Sequence, residues 1–160
     1  MNIQTLLVIG SLIALTYSIL TMNTSQSVQA GYQLNNEATI SATGIGQSLL
    51  EEIELKAFDE ETISNTITDT DSLTSSYSLG KDAGESTHYT FDDFDDYNGY
   101  TKTESLTRLG TFSTEIEVYY VNTMSPDTKV TYKTFSKRID IRVANEYLLD
   151  TLVFAKVISY

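Results

Sequence analysis

Residues 34–57, LNNEATISATGIGQSLLEEIELKA, decide the fold. Apolar side chains recur at Leu34, Ala38, Ala42, Ile45, Leu49, Ile53 and Ala57. Intervals of three and four residues draw one stripe along an α-helix. Asn35, Thr39, Thr43, Gln47, Glu51 and Glu54 fall on the other face. A helix with a single apolar stripe needs something to pack against, so Leu34, Ala38, Ala42, Ile45, Leu49 and Ile53 are expected to hold it to a globular head. Gly31, Gly44 and Gly46 read as points that each weaken the helix by about 1 kcal/mol relative to Ala.

Upstream the character changes. Residues 5–22, TLLVIGSLIALTYSILTM, are almost wholly apolar, and no charged side chain occurs before Glu37. The first basic residue is Lys56. Such a run is long enough to span a bilayer at the short end of the range. A secretion signal would carry a positive n-region ahead of its apolar core, and none is present, although Val28-Gln29-Ala30 offers a cleavage-like site. A permanent anchor usually carries flanking Lys or Arg. The uncharged flanks favour a retained helix that comes to rest among other protein helices. The stretch between the apolar run and Leu34 is polar but lacks Pro. We expect one helix from about Thr5 to Ala57, loosened near residues 22–31, with two helices joined by a loop at 23–31 as the alternative. At 1.5 Å per residue the single helix would approach about 80 Å. A chain of 160 residues needs no helix that long within its own core, so the front half must project. This divides the chain into a protruding stem, residues 1–30, and a head, residues 31–160.

Downstream, residues 59–80 are rich in Ser, Thr and Asp and read as loop with one short strand. From Gly110 the pattern alternates. Phe112, Thr114, Ile116, Val118 and Tyr120 share one face, and in residues 129–145 Ile139, Ile141 and Val143 share another. The single proline, Pro126, lies between these runs and signals a turn. Residues 151–160, TLVFAKVISY, supply a nearly continuous apolar strand. Three strands joined by short connections make an antiparallel meander, whose uncovered face the amphipathic helix can shield. The expected class is α+β: a long N-terminal helix packed on a small antiparallel sheet.

Composition narrows the function. The formal net charge is -12, with 10 Lys and Arg against 22 Asp and Glu. Nucleic acid is not an expected partner, because phosphate neutralisation needs clustered basic residues. With no Cys, thiolate metal sites and cysteine nucleophiles are excluded. There is no G-x-S-x-G elbow, P-loop or dinucleotide fingerprint, and His88 is the sole histidine. No enzyme activity and no cofactor are expected. Asp92, Asp93, Asp95 and Asp96 stand together before Asn98-Gly99. Counted back from Gly99 as the sixth position, an EF-hand loop would need oxygen ligands at Phe94, Asp96, Asn98 and Ser105, and Phe94 and Ser105 do not fit. These four aspartates therefore read as a solvated acidic turn, with a calcium site of another type as the alternative.

Two stretches carry a resemblance. ATGIGQSLLEEIELKAFDEET (residues 42–62) and FDDFDDYNGY (residues 91–100) are similar to the helix end and the acidic loop of minor type IV pilins of the mannose-sensitive-haemagglutinin type. Their order behind an apolar N-terminus extends the likeness over almost all of the chain, which resembles a type IV pilin or pseudopilin. That resemblance implies a structural subunit of a bacterial pilus-like filament, a helical homopolymer. Before assembly the helix would wait in the inner membrane; afterwards the subunit would stand at the cell surface. Implied partners are other copies, other pilins, an inner-membrane assembly platform and a prepilin peptidase. Ile3, Leu6, Leu7, Val8, Ile9, Leu12, Ile13, Leu15, Tyr17, Ile19 and Leu20 would bury against neighbouring stems. The sequence shows no leader, and Met1 stands where a mature N-terminus would be. The family usually places Glu at the fifth position, where it offsets a neighbour's amino terminus. Here that position is Thr5, beside Gln4, so the registry contacts would fall to Met1, Gln4 and Thr5 through hydrogen bonds. A minor pseudopilin of a secretion pseudopilus and a monomeric membrane-anchored surface domain are the alternative readings.

Overall fold

The computed structural model describes residues 2–160; the registry contact expected at Met1 lies outside them. A single helix, α1, runs from Ile3 to Glu54 without interruption. Its 52 residues give a rod of about 78 Å. The loosening expected at residues 22–31 does not occur. No proline breaks the ladder there, and Thr21 and Thr24 turn their hydroxyls onto Ser18 and Leu20 carbonyls at 2.9 Å each.

α1 ends three residues before the expected Ala57. Ala57 instead joins the acidic loop: its N–H donates to the Asp92 carbonyl and its carbonyl accepts from the Phe94 N–H, both at 3.0 Å. This short parallel bridge takes the backbone groups that another helical turn would have used. The region 59–80 contains no strand. It forms a one-turn helix, α2 (Glu60–Ser64), capped by Asp59, and a 3₁₀ turn at Thr70–Ser72.

Five strands follow: β1 (Thr101–Leu106), β2 (Gly110–Asn122), β3 (Ser125–Lys129), β4 (Ser136–Ala144) and β5 (Leu152–Ser159). The antiparallel sheet is ordered β1-β2-β4-β5, and β3 pairs with the end of β2. Two strands were absent from the expectation. β1 is polar and exposed along its outer side, so it has little apolar alternation to read. β3 carries Pro126, which the sequence marks as a turn; an edge strand tolerates proline because no N–H is needed on its open side. β3 also splits the expected meander and delays β4 until Ser136.

The α+β class is as expected. α1 lies across β4 and β5. Ala38, Ala42, Leu49 and Ile53 are buried against Phe112, Ile116, Val118, Ile139, Ile141 and Val143, while Leu34 and Ile45 are half-buried at the margin. Gly46 departs from its reading as a flaw in the helix. It is buried, and a Cβ there would run into the ring of Phe154 on β5. The missing side chain lets α1 approach the sheet edge.

Candidate functional site: an exposed stem and a buried charge cluster

Every described residue from Asn2 to Gln33 is exposed. The eleven stem residues named above range from 45% exposed at Ile9 to 81% at Ile3. Contiguous apolar surface of this extent marks a contact with lipid or protein. α1 is long and apolar enough to cross a membrane, and its apolar window touches nothing else in the chain. Two hydroxyls in that window bond to their own helix: Ser11 donates to the Val8 carbonyl at 2.9 Å and Thr16 to the Leu12 carbonyl at 2.8 Å. A hydroxyl satisfied by its own helix makes no demand on its surroundings. Gln4 and Thr5 sit in the exposed first turn, as the registry reading requires of them.

The acidic loop is not the solvated turn of the sequence reading. Asp92 is exposed, but Asp93, Asp95 and Asp96 are buried. Burying carboxylates demands donors, and the backbone provides them. Asp93 Oδ1 accepts from the N–H of Asp95 at 2.7 Å and of Asp96 at 3.1 Å. Asp96 Oδ2 accepts from the N–H of Asp92 at 3.0 Å and of Asp93 at 3.2 Å. Gly99, at φ +77°, supplies the left-handed turn that closes the loop. Asn98 then bridges two layers, accepting from Val118 N–H and donating to the Leu79 carbonyl, each at 3.0 Å.

As a metal set the four aspartates do not act together. Asp93 and Asp95 face the interior, whereas Asp92 and Asp96 group with Glu85, the three offering oxygens within 4.8 Å of one another. Glu85 is pushed up to about 7, chiefly by desolvation and by its hydrogen bond with Asp96.

Beneath the loop lies a residue that sequence reasoning missed. Lys137 on β4 is fully buried, and its Nζ donates to Asp59 Oδ2 (2.8 Å), Asp95 Oδ1 (2.6 Å) and the Phe58 carbonyl (2.9 Å). The rings of Phe58 and Tyr120 lie over the ammonium at 4.6 and 5.1 Å. The signal was present: Lys137 has the inward parity of Ile139, Ile141 and Val143, so extending that alternation one step back puts an amine in the core.

The two carboxylates that share Lys137 differ. Asp59 accepts from Thr74 N–H and Oγ1 at 3.1 and 3.0 Å, caps α2, and lies 3.2 Å from the Tyr120 hydroxyl. Burial alone would raise it, but Lys137 and these hydrogen bonds outweigh burial and hold it below the usual carboxylate range. Asp95 leaves Oδ2 buried with no partner. Burial raises it, Lys137 opposes, and it settles at about 6. Asp93 is pushed up to about 8 by burial and by the neighbouring Asp95 and Asp96.

His88, the sole histidine, packs at the end of α1. It is half-buried, with Nδ1 3.2 Å from Glu52 Oε1, and Glu52 accepts from the Tyr97 hydroxyl at 2.9 Å. Arg138 and Arg142 find partners inside the chain, at Asp140 (2.8 Å) and Glu117 (3.3 Å). No family model, no curated protein sequence and no solved structure matches the chain.

Proposed function

We propose that the chain is a structural subunit that polymerises through its N-terminal helix into a pilus-like filament at the cell surface. One observation carries the reading: roughly the first 46 Å of α1 at 1.5 Å per residue is exposed and carries no charged side chain, and residues 5–22 within it are almost wholly apolar. The entire net charge of -12 lies at or beyond Glu37. The two halves therefore want different surroundings. Apolar burial contributes about 25 cal/mol per Å², and a bundle of stems supplies that burial. The acidic heads face water and keep the polymer dispersed. Before assembly the stem rests in the membrane. Ile3, Leu6, Leu7, Val8, Ile9, Leu12, Ile13, Leu15, Tyr17, Ile19 and Leu20 form the contact, and Gln4 and Thr5 set the register between neighbours.

The test is electron microscopy of material sheared from cells that make the chain, together with its protein composition. Continuous fibres built mainly from this chain are expected. Confinement of the chain to the membrane as a monomer overturns the reading in favour of an anchored surface domain. Fibres in which it is a trace component would reassign it as a minor pseudopilin.

A further inference from the structure

We propose that Lys137 and Asp95 condense into an intramolecular amide, a covalent cross-link between β4 and the acidic loop. The inference concerns the head and does not depend on how the stem assembles. Three groups that such a condensation needs already meet in one dry site. The nucleophile is Lys137 Nζ, fully buried and 2.6 Å from Asp95 Oδ1. The electrophile is the Asp95 carboxyl, 3% exposed, whose Oδ2 has no hydrogen-bond partner. The proton acceptor is Asp59, fully buried, with Oδ2 2.8 Å from the same Nζ.

The two acids are not interchangeable. Asp59 is held as an anion by Thr74, Tyr120 and its capping role, and an anion is a poor target for an amine. Asp95 lacks those donors. An unpartnered carboxylate oxygen in the interior favours the neutral acid, in keeping with the upward shift of this group.

The step balances without any co-reactant. A proton passes from the Lys137 ammonium to the Asp95 carboxylate across their contact. The amine lone pair then attacks Asp95 Cγ, forming the C–N bond and a tetrahedral centre. Asp59 takes a proton from nitrogen and returns it to the departing hydroxyl. The C–O bond breaks, one water leaves, and Asp59 ends as it began. Ammonium plus carboxylate become amide plus water, with no change in oxidation state.

Two effects favour it. Fixed reactants in contact reach effective concentrations on the order of 10⁵–10⁸ M in well-oriented intramolecular reactions. The product also replaces two buried ionisable groups by one neutral amide, removing the desolvation cost of that pair; Asp59 gives up its cation but keeps the Thr74 donors and faces the new amide N–H. The rings of Phe58 and Tyr120 wall the amine on two sides and keep competing water out. The link would close a loop of 42 residues and tie the acidic loop to the sheet permanently.

The experiment is peptide mass spectrometry on the full chain, purified in detergent, denatured and digested with trypsin. We expect the peptide of residues 82–102 joined to that of residues 134–138, at their summed mass less one water, with fragment ions placing the branch at Asp95. Acylation of Lys137 blocks cleavage after it, so free peptide 134–137 should be scarce. Abundant free 134–137 and 82–102 peptides overturn the proposal. So does a branch on any other carboxylate, including Asp59 in peptide 57–81. Asp59→Asn retains the Lys137–Asp95 contact and a capping oxygen but loses the proton acceptor. It should lower the rate of linkage in refolded protein by about 10²-fold or more, the usual worth of a positioned acid–base group, and an unchanged rate removes Asp59 from the step.

Discussion

Gly46→Ala separates two views of the long helix with opposite signs. If Gly46 were only a gap in helix propensity, Ala would stabilise the protein by about 1 kcal/mol. The structure says otherwise, because the added methyl would occupy the place of the Phe154 ring. Rotating the ring about its own axis does not clear it, since Cγ itself lies 2.9 Å from the new carbon. Either the Phe154 side chain changes rotamer or α1 lifts from β5. Overpacking of this kind costs about 1–3 kcal/mol. Set against the gain in propensity, the net loss is about 1 kcal/mol, and Tm should fall by about 3–6 °C for a unit of this size. Thermal unfolding followed by circular dichroism, on the full chain in detergent, reads it. In a Phe154→Ala background the obstacle is gone, and the same substitution should now raise Tm. The coupling between the two sites is then about 2 kcal/mol, well outside the additivity expected of independent positions. A rise in Tm from Gly46→Ala in the native background would refute the close-approach argument.

Lys137→Met should destabilise the head by about 3–5 kcal/mol, because it leaves Asp59 and Asp95 buried without the nitrogen that both of them contact. Lys129→Met removes an ion pair with Glu117 of similar length, 2.9 Å, but on the surface, and should cost less than about 1 kcal/mol; urea titration compares the two. Asp93 is raised from 3.8 to about 8, so the folded head holds a proton there that the unfolded chain releases. The stability from this group is complete below 3.8 and is lost as pH rises through about 8. Asp93→Asn should therefore be near neutral at low pH and stabilising above the folded value, and parallel Tm–pH curves for variant and parent would contradict that. Leu12→Lys places a charge on a stem position 56% exposed in the chain; it should abolish sedimentable fibres while leaving the Tm of the head unchanged, and fibres that persist in normal yield would count against the stem as the assembly surface.

Much of the architecture could be read from periodicity alone. The stripe from Leu34 to Ile53 and the alternation from Phe112 to Tyr120 are strong because one face of each is buried and the other is wet. The failures have a common cause. β1 and β3 are set by hairpin pairing with β2, and the end of α1 by its bridge to the acidic loop, and backbone pairing leaves little trace in side-chain type. Ala57 continues the apolar stripe perfectly well; only the presence of Asp92 and Phe94 beside it diverts its backbone. The acidic loop misled for a related reason. Four aspartates in five residues suggest water, yet the turn offers enough inward N–H groups, and β4 enough positive charge, to hold three of them inside.

That distribution of polar groups bears on how the molecule could change surroundings. Among the described residues, every buried charge belongs to the head. The stem contains no charged side chain, and the hydroxyls of Ser11, Thr16, Thr21 and Thr24 are bonded to carbonyls of their own helix. Moving such a stem from lipid to a bundle of like stems would break none of these bonds. The transfer then turns on packing alone, which is reversible until neighbours interlock. The head, whose fixed hydrogen bonds lie beyond Leu34, would not register the change. On the proposed assembly, separating the two kinds of interaction along one rod would let a single chain be stable in both settings.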